Sequence, residues 1–208
     1  MSNRRNAINL GNHVQENFWL YVISLLCIFT GIVLGIYSVK YMANGDRSDL
    51  VNYLSNFSQN ITQGNFKYNS ILIDVIKNNI PFIIAIWFLG LTMVGIPIIL
   101  LIDLVKGFTV GFTLSFMISG FGVKGIGIAA LGVVPQNLLY LPCIIVASVL
   151  SMEFSVNLLK EKMNKRYNGS LWVKLATYSF YFAVITIVMF IGFALETYGS
   201  PSLVKLIL

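Results

Sequence analysis

Residues 18–39, FWLYVISLLCIFTGIVLGIYSV, contain no charged side chain. About 20 apolar residues in a row suffice to cross the hydrocarbon core of a bilayer as a helix. In lipid every backbone N–H and C=O must find its partner within the protein, so such a segment is a helix unless it belongs to a closed barrel. The pattern recurs over 79–105, 107–120, 135–158 and 171–196. The expected fold class is an all-α polytopic membrane protein with about five transmembrane helices. Composition points the same way. With 57% hydrophobic and 11% charged residues, the chain has too little polar surface to cover a soluble core of its size.

Between these spans the chain divides into short connections. Residues 1–17 form a polar tail carrying Arg4 and Arg5. A cleavable signal peptide is not expected, because the first apolar run begins only at Phe18 and lacks a small-residue cleavage site. Residues 40–78 are the one long polar segment. Within it Leu50, Tyr53, Leu54, Phe57 and Ile61 recur at helical spacing behind a Ser48/Asp49 start signal. This predicts an amphipathic helix lying on the membrane, on a partner or on the protein's own spans. The second span, 79–105, contains Pro97, which is expected to kink it, and carries Asp103 and Lys106 at its far end.

Glycines crowd the next region: Gly107, Gly111, Gly120, Gly122, Gly125, Gly127 and Gly132. Glycine lets backbones approach closely in lipid and permits irregular backbone where protein covers it. The expectation is a glycine-rich turn or re-entrant, broken helix over 121–134, with Gly125 at a close approach. The fourth span, 135–158, then opens on Pro135, a proline suited to a first helical turn. Gln136 and Asn137 follow it. They can satisfy the backbone groups that proline frees, or bond to a neighbouring helix or partner. A basic loop over 159–170 precedes the last span, 171–196, and a tail over 197–208.

Lysine and arginine set the orientation. Arg4/Arg5 and Lys160/Lys162/Lys165/Arg166/Lys174 fall on one side after five crossings. That side is expected to be the cytoplasm, which leaves 40–78 and the C-terminus outside. The formal charge of +6 therefore reads as topology signal and lipid contact. No aromatic-interleaved basic patch points to nucleic acid.

Candidate chemistry fails residue by residue. GFGVKG at 120–125 fits a dinucleotide glycine pattern, but no strand precedes it and no acid lies near position 145. His13 is the only histidine and sits in the polar tail. Cys27 and Cys143 are isolated in apolar runs, without ligand spacing. Asp103 and Glu153 are both expected near cytoplasmic span ends, at the headgroups or paired with Lys106 or Lys160. With the span centres read as free of ionisable residues, a proton-coupled transporter is disfavoured. No catalytic residue, metal or cofactor is expected. A scaffold, a passive channel or a permease-like subunit of a small-solute or lipid-linked system is left.

Two segments carry a resemblance. GIPIILLIDLVKGFTVGFT is followed, after the glycine-rich gap, by GVVPQNLLYLP. Together they resemble the stage II sporulation protein M family of endospore-forming bacteria, and size, five-span plan and external loop fit over nearly the whole chain. The wider family carries Pro-His-Gly and a glutamate where this chain has Pro135-Gln136-Asn137 and Tyr140, which favours the sporulation branch. The resemblance implies a non-catalytic membrane protein on the mother cell side of the septum. It would anchor two peptidoglycan hydrolases, stage II sporulation proteins D and P, during engulfment. Small-residue surfaces also permit a homodimer.

Overall fold

The computed structural model describes residues 14–43, 45–46, 48–50, 52, 68–92, 95–164 and 170–199. Among them there are helices and no strand. Five helices are long and apolar enough to cross a membrane. They are α1 (Phe18–Lys40), α2 (Tyr68–Gly90), α3 (Gly95–Gly132), α4 (Val134–Asn164) and α5 (Leu171–Ala194), the last running on into a π-helical turn, Leu195–Gly199.

Each boundary has a local cause. The Asn17 carbonyl accepts from Leu20 N–H at 2.9 Å and opens α1, while Lys40 closes it with a positive charge against the helix C-terminus. α2 ends at Gly90. There the Leu91 and Thr92 amides fold back on Phe88 and Leu89, and the Thr92 hydroxyl donates to the Leu89 carbonyl at 2.7 Å. α3 begins at Gly95, so Pro97 lies in its first turn, where a missing N–H costs nothing.

This corrects the expected second and third spans. The break lies between Gly90 and Gly95 instead of at 105–107, and the helix containing Asp103 and Lys106 is the third. Between α2 and α3 the sequence reads Leu91-Thr92-Met93-Val94, without a charged residue, Asn or Pro to punctuate it. α2 also begins at Tyr68, within the stretch expected to be loop. Residues 45–46, 48–50 and 52 are helical, so Ser48 stands inside a helical stretch, donating to the Gly45 carbonyl at 2.7 Å. Leu50 is half-buried there; Leu54 and Phe57 lie outside the described residues.

α3 is bent. Gly122 takes φ 56°, ψ −130°, a conformation open to glycine and closed to ordinary side chains. Past it the chain doubles back: a Cβ on Gly125 would fall on the Met117 carbonyl, and 3.1 Å from the Ile118 Cα. Helical hydrogen bonds then run through Val133, from Val133 N to Ala129 O at 3.0 Å and from Asn137 N to Val133 O at 3.4 Å. The segment after Gly122 is thus a short helix that turns back on α3 and leads almost without interruption into α4.

The contacts fix relative directions. Gly31 and Gly35 of α1 face Leu104, Phe108 and Phe112 of α3, while Gly107 and Gly111 of α3 face Ile28 and Ile32 of α1. Register rises in both helices together, so α1 and α3 run parallel. Ser151 and Ser155 of α4 reach the carbonyls of Ile86 and Thr92, so α2 and α4 are parallel as well. In α4 and α5 the register runs oppositely: Ser151 meets Tyr178 and Tyr140 meets Glu196. Successive spans therefore alternate in direction, as five crossings require.

α4 is the central helix; half of its membrane window is buried, against 17% for α2. Its Ile144 and Ala147 pack with Ile83 and Ile86 of α2 and with Tyr178, Phe182, Met189 and Phe193 of α5. The outer faces are apolar too. Phe29, Leu101, Leu138, Phe180 and Ile187 are all exposed, a surface suited to lipid.

Candidate functional site

The polar residues that link the helices lie at three levels along α4. At the first, Asp103 of α3 is fully buried. Its Oδ2 accepts from the Ser24 hydroxyl of α1 and its Oδ1 from the Ser148 hydroxyl of α4, each at 2.6 Å. Both serines are fully buried as well. Hydrogen bonds to an ionised or ionisable carboxyl are the stronger kind, and here they tie three helices at one point.

The second level lies toward the opposite end of α4, where α2, α3, α4 and the π turn converge. The Lys106 ammonium donates to Asn79 Oδ1 at 3.0 Å and lies 3.9 Å from the centre of the Phe82 ring. Asn79 is itself held by its amide, which donates to the Val75 carbonyl at 3.0 Å. Glu196, on the π turn, accepts from the Tyr140 hydroxyl at 2.7 Å. Tyr140 packs flat against Gly192, where a Cβ would strike its ring. Lys106 and Glu196 attract one another without forming a direct ion pair.

At the third level the single proton of the Ser151 hydroxyl can go to the Ile86 carbonyl at 2.9 Å or to the Tyr178 oxygen at 2.8 Å. Tyr178 also donates to the Trp87 carbonyl at 2.9 Å and stacks on Phe154 with centroids 4.4 Å apart. One turn further Ser155 donates to the Thr92 carbonyl at 2.7 Å, bracing the α2–α3 turn. At the ends of α4 and α5 that flank the basic loop, Lys174 pairs with Glu161.

The sequence places Asp103 near a cytoplasmic span end, at the headgroups or paired with Lys106 or Lys160. It stands instead in the interior of α3, bonded to two serines. Glu153 is within electrostatic reach of Tyr21 of α1, and Lys106 turns toward Asn79. The spans are not free of ionisable residues either: Asp103 and Lys106 lie inside α3, and Glu196 lies near the C-terminal end of the last span. The Asn137 amide donates to the Val133 carbonyl at 2.8 Å, a local contact beside Pro135. Gln136 is buried and Pro135 half-buried. Gly125 sits at the fold-back described above.

Ser24, Asn79, Ser148, Ser151, Tyr178 and Glu196 escaped sequence reasoning. One signal was readable: Ser148, Ser151 and Ser155 recur at three and four residues, a single polar stripe on an apolar helix. Ser24 and Asn79 carry no such pattern.

Five helices alternating in direction, an apolar outer shell and a polar interior closed by interhelical hydrogen bonds define a multi-pass membrane protein. More particularly, the chain belongs to the stage II sporulation protein M family, whose family model matches residues 24–201, and it is a sporulation-related membrane protein. Neither a curated protein nor a solved structure matches it.

Proposed function

We propose that the protein is a non-catalytic membrane scaffold. It anchors and localises peptidoglycan hydrolases, stage II sporulation proteins D and P, on the mother cell side of the septum during engulfment. The N-terminus lies in the cytoplasm, and the 40–78 segment and C-terminus lie outside, where cell-wall enzymes work. The observation that carries this reading beyond family membership is the state of Asp103. Its two oxygens accept from the Ser24 and Ser148 hydroxyls. A buried carboxyl bonded in this way ties three helices together, which supports a structural role. Any pairing with a second copy would use faces other than the α1–α3 glycine seam, which the chain fills itself.

A second reading, a permease-like subunit, draws on Lys106 and Glu196, since charges inside a bundle commonly mark a solute path. One experiment separates the two. The tagged protein is purified from sporulating cells after crosslinking through the 40–78 segment, and also reconstituted in proteoliposomes. The scaffold reading expects both hydrolases in the eluate and no solute movement. Recovery of an ATPase or of solute flux, without hydrolases, overturns it.

A further inference from the structure

We infer that Lys106 and Glu196 form the two poles of a binding site for a zwitterion, one that offers an anionic group to Lys106 and a protonated primary amine to Glu196. The inference is independent of the scaffold reading.

The argument begins with what the two charges lack. A charge within a bilayer is costly unless compensated, and opposite charges in the same bundle normally close on each other. These two do not. Lys106 is held on α3 by Asn79 and the Phe82 ring, both from α2. Glu196 is held on the π turn by Tyr140 from α4. Neutral groups from separate helices thus fix the poles apart.

Each pole keeps capacity for a ligand. An ammonium has three donors, and the chain engages one at Asn79 and covers one side with Phe82. A carboxylate has two oxygens; Tyr140 takes Oε2, and among the described residues no hydrogen bond is seen at Oε1 of the half-buried Glu196. The π turn adds a second indication, because a single π-helical turn is rare and concentrates at functional sites. At this turn Thr197 is fully buried with its hydroxyl unpartnered, so the backbone geometry is kept despite a cost.

Charge selects the ligand class. A lone anion drawn to Lys106 would meet Glu196, and a lone cation drawn to Glu196 would meet Lys106. A molecule with both signs satisfies both. Depth gives its orientation. Asp103 and Ser148 are level, being hydrogen-bonded. Lys106 is three residues beyond Asp103, and Tyr140 is eight residues from Ser148 in the same direction. At a rise of 1.5 Å per residue, the Tyr140 backbone stands roughly 7–8 Å nearer that end of the bundle than the Lys106 backbone, and Glu196 is bonded to the tip of the Tyr140 side chain. Phosphoethanolamine has this order, phosphate deeper and amine shallower, when it heads a lipid. The same chemistry occurs in the free compound.

The test uses the full chain in phosphatidylcholine nanodiscs doped with phosphatidylethanolamine or phosphatidylglycerol. Retained lipid is read by native mass spectrometry. The choline headgroup offers a phosphate and a positive charge but no N–H donor to Glu196, so the background competes equally with both doped lipids and the comparison between them stands. Wild type is expected to keep phosphatidylethanolamine over phosphatidylglycerol by roughly tenfold, the worth of one charge-assisted hydrogen bond. Glu196→Gln should lose or invert that preference, and Lys106→Met should retain neither lipid. A melting series with free O-phosphoethanolamine identifies the source: stabilisation without lipid retention assigns an aqueous ligand, and lipid retention without stabilisation assigns the headgroup. Equal retention of both lipids by wild type and Glu196→Gln, with no effect of the free compound, would mean that only water bridges the poles and would overturn the proposal. The reversal in Glu196→Gln needs no result from Lys106→Met, should that variant fail to fold.

Discussion

Ser148 of α4 donates its hydroxyl to Asp103 of α3 at 2.6 Å, and neither residue is exposed. With Ser24 completing the other side of the carboxyl, a single side chain joins the first, third and fourth spans. The bundle is therefore held at this level by polar bonds as well as by packing.

Ser24→Ala and Ser148→Ala should each destabilise the protein by about 1–2 kcal/mol, the range for a hydrogen bond between membrane helices. The double variant should fall short of the sum, because the two serines share one acceptor. Thermal unfolding in detergent, arranged as a double-mutant cycle, measures this. Strict additivity would mean that the serines do not act through Asp103.

The glycine seam makes a sharper demand. A Cβ at Gly107 would fall on the Ile28 carbonyl, whereas a Cβ at Gly45 meets nothing within 4 Å. Gly107→Leu should separate α1 from α3, costing about 2–3 kcal/mol or more, while Gly45→Leu leaves stability unchanged. Crosslinking between cysteines placed on α1 and α3 reads the separation directly.

At the fold-back two glycines are needed for different reasons. Gly122 has open space but a backbone angle that an L side chain avoids, so Gly122→Ala should cost about 1–3 kcal/mol through strain alone. Gly125 has an ordinary backbone and no space, so Gly125→Leu should disrupt packing and lower accumulation in the membrane. Normal accumulation and melting of both variants would contradict the tight fold-back.

Orientation can be checked without partners. In a Cys27→Ala, Cys143→Ala background, single cysteines at exposed Asp49 and Met163 lie at opposite ends of the bundle. A membrane-impermeant maleimide applied to intact cells should label Asp49→Cys and spare Met163→Cys. The reverse pattern would invert the proposed topology.

Leu54→Ser with Phe57→Ser should reduce recovery of the hydrolases while the protein still inserts. Undiminished co-purification would remove that face from the scaffold reading.

The sequence discloses the fold class readily, because an uncharged run such as 18–39 leaves few alternatives. Boundaries were harder. In water a turn declares itself by polar residues, but the α2–α3 turn satisfies its backbone with the Thr92 hydroxyl and the Ser155 hydroxyl from a distant helix, and carries no charged residue, Asn or Pro. Missing that turn moved Asp103 from an interior position to a span end, and with it the reading of its chemistry. Glycine spacing in α3 was visible; its partner, Gly31-Ile-Val-Leu-Gly35 in α1, is recognisable only once the two helices are known to run side by side. Glu196 closed the last apolar run in sequence and so looked peripheral, while the π turn carries it back toward Tyr140.

The parallel pairing of α1 with α3 bears on how the protein is made. Ser24 precedes Asp103 by 79 residues. At about 5–20 residues per second of synthesis, α1 waits roughly 4–16 s before its partner emerges. Throughout that interval its glycine groove and buried serine have no mate from the chain. Lipid or the insertion machinery must shelter them. The seam is sealed only after α2 has been threaded past it, so biogenesis proceeds through an obligatory half-assembled species whose lifetime is set by the ribosome.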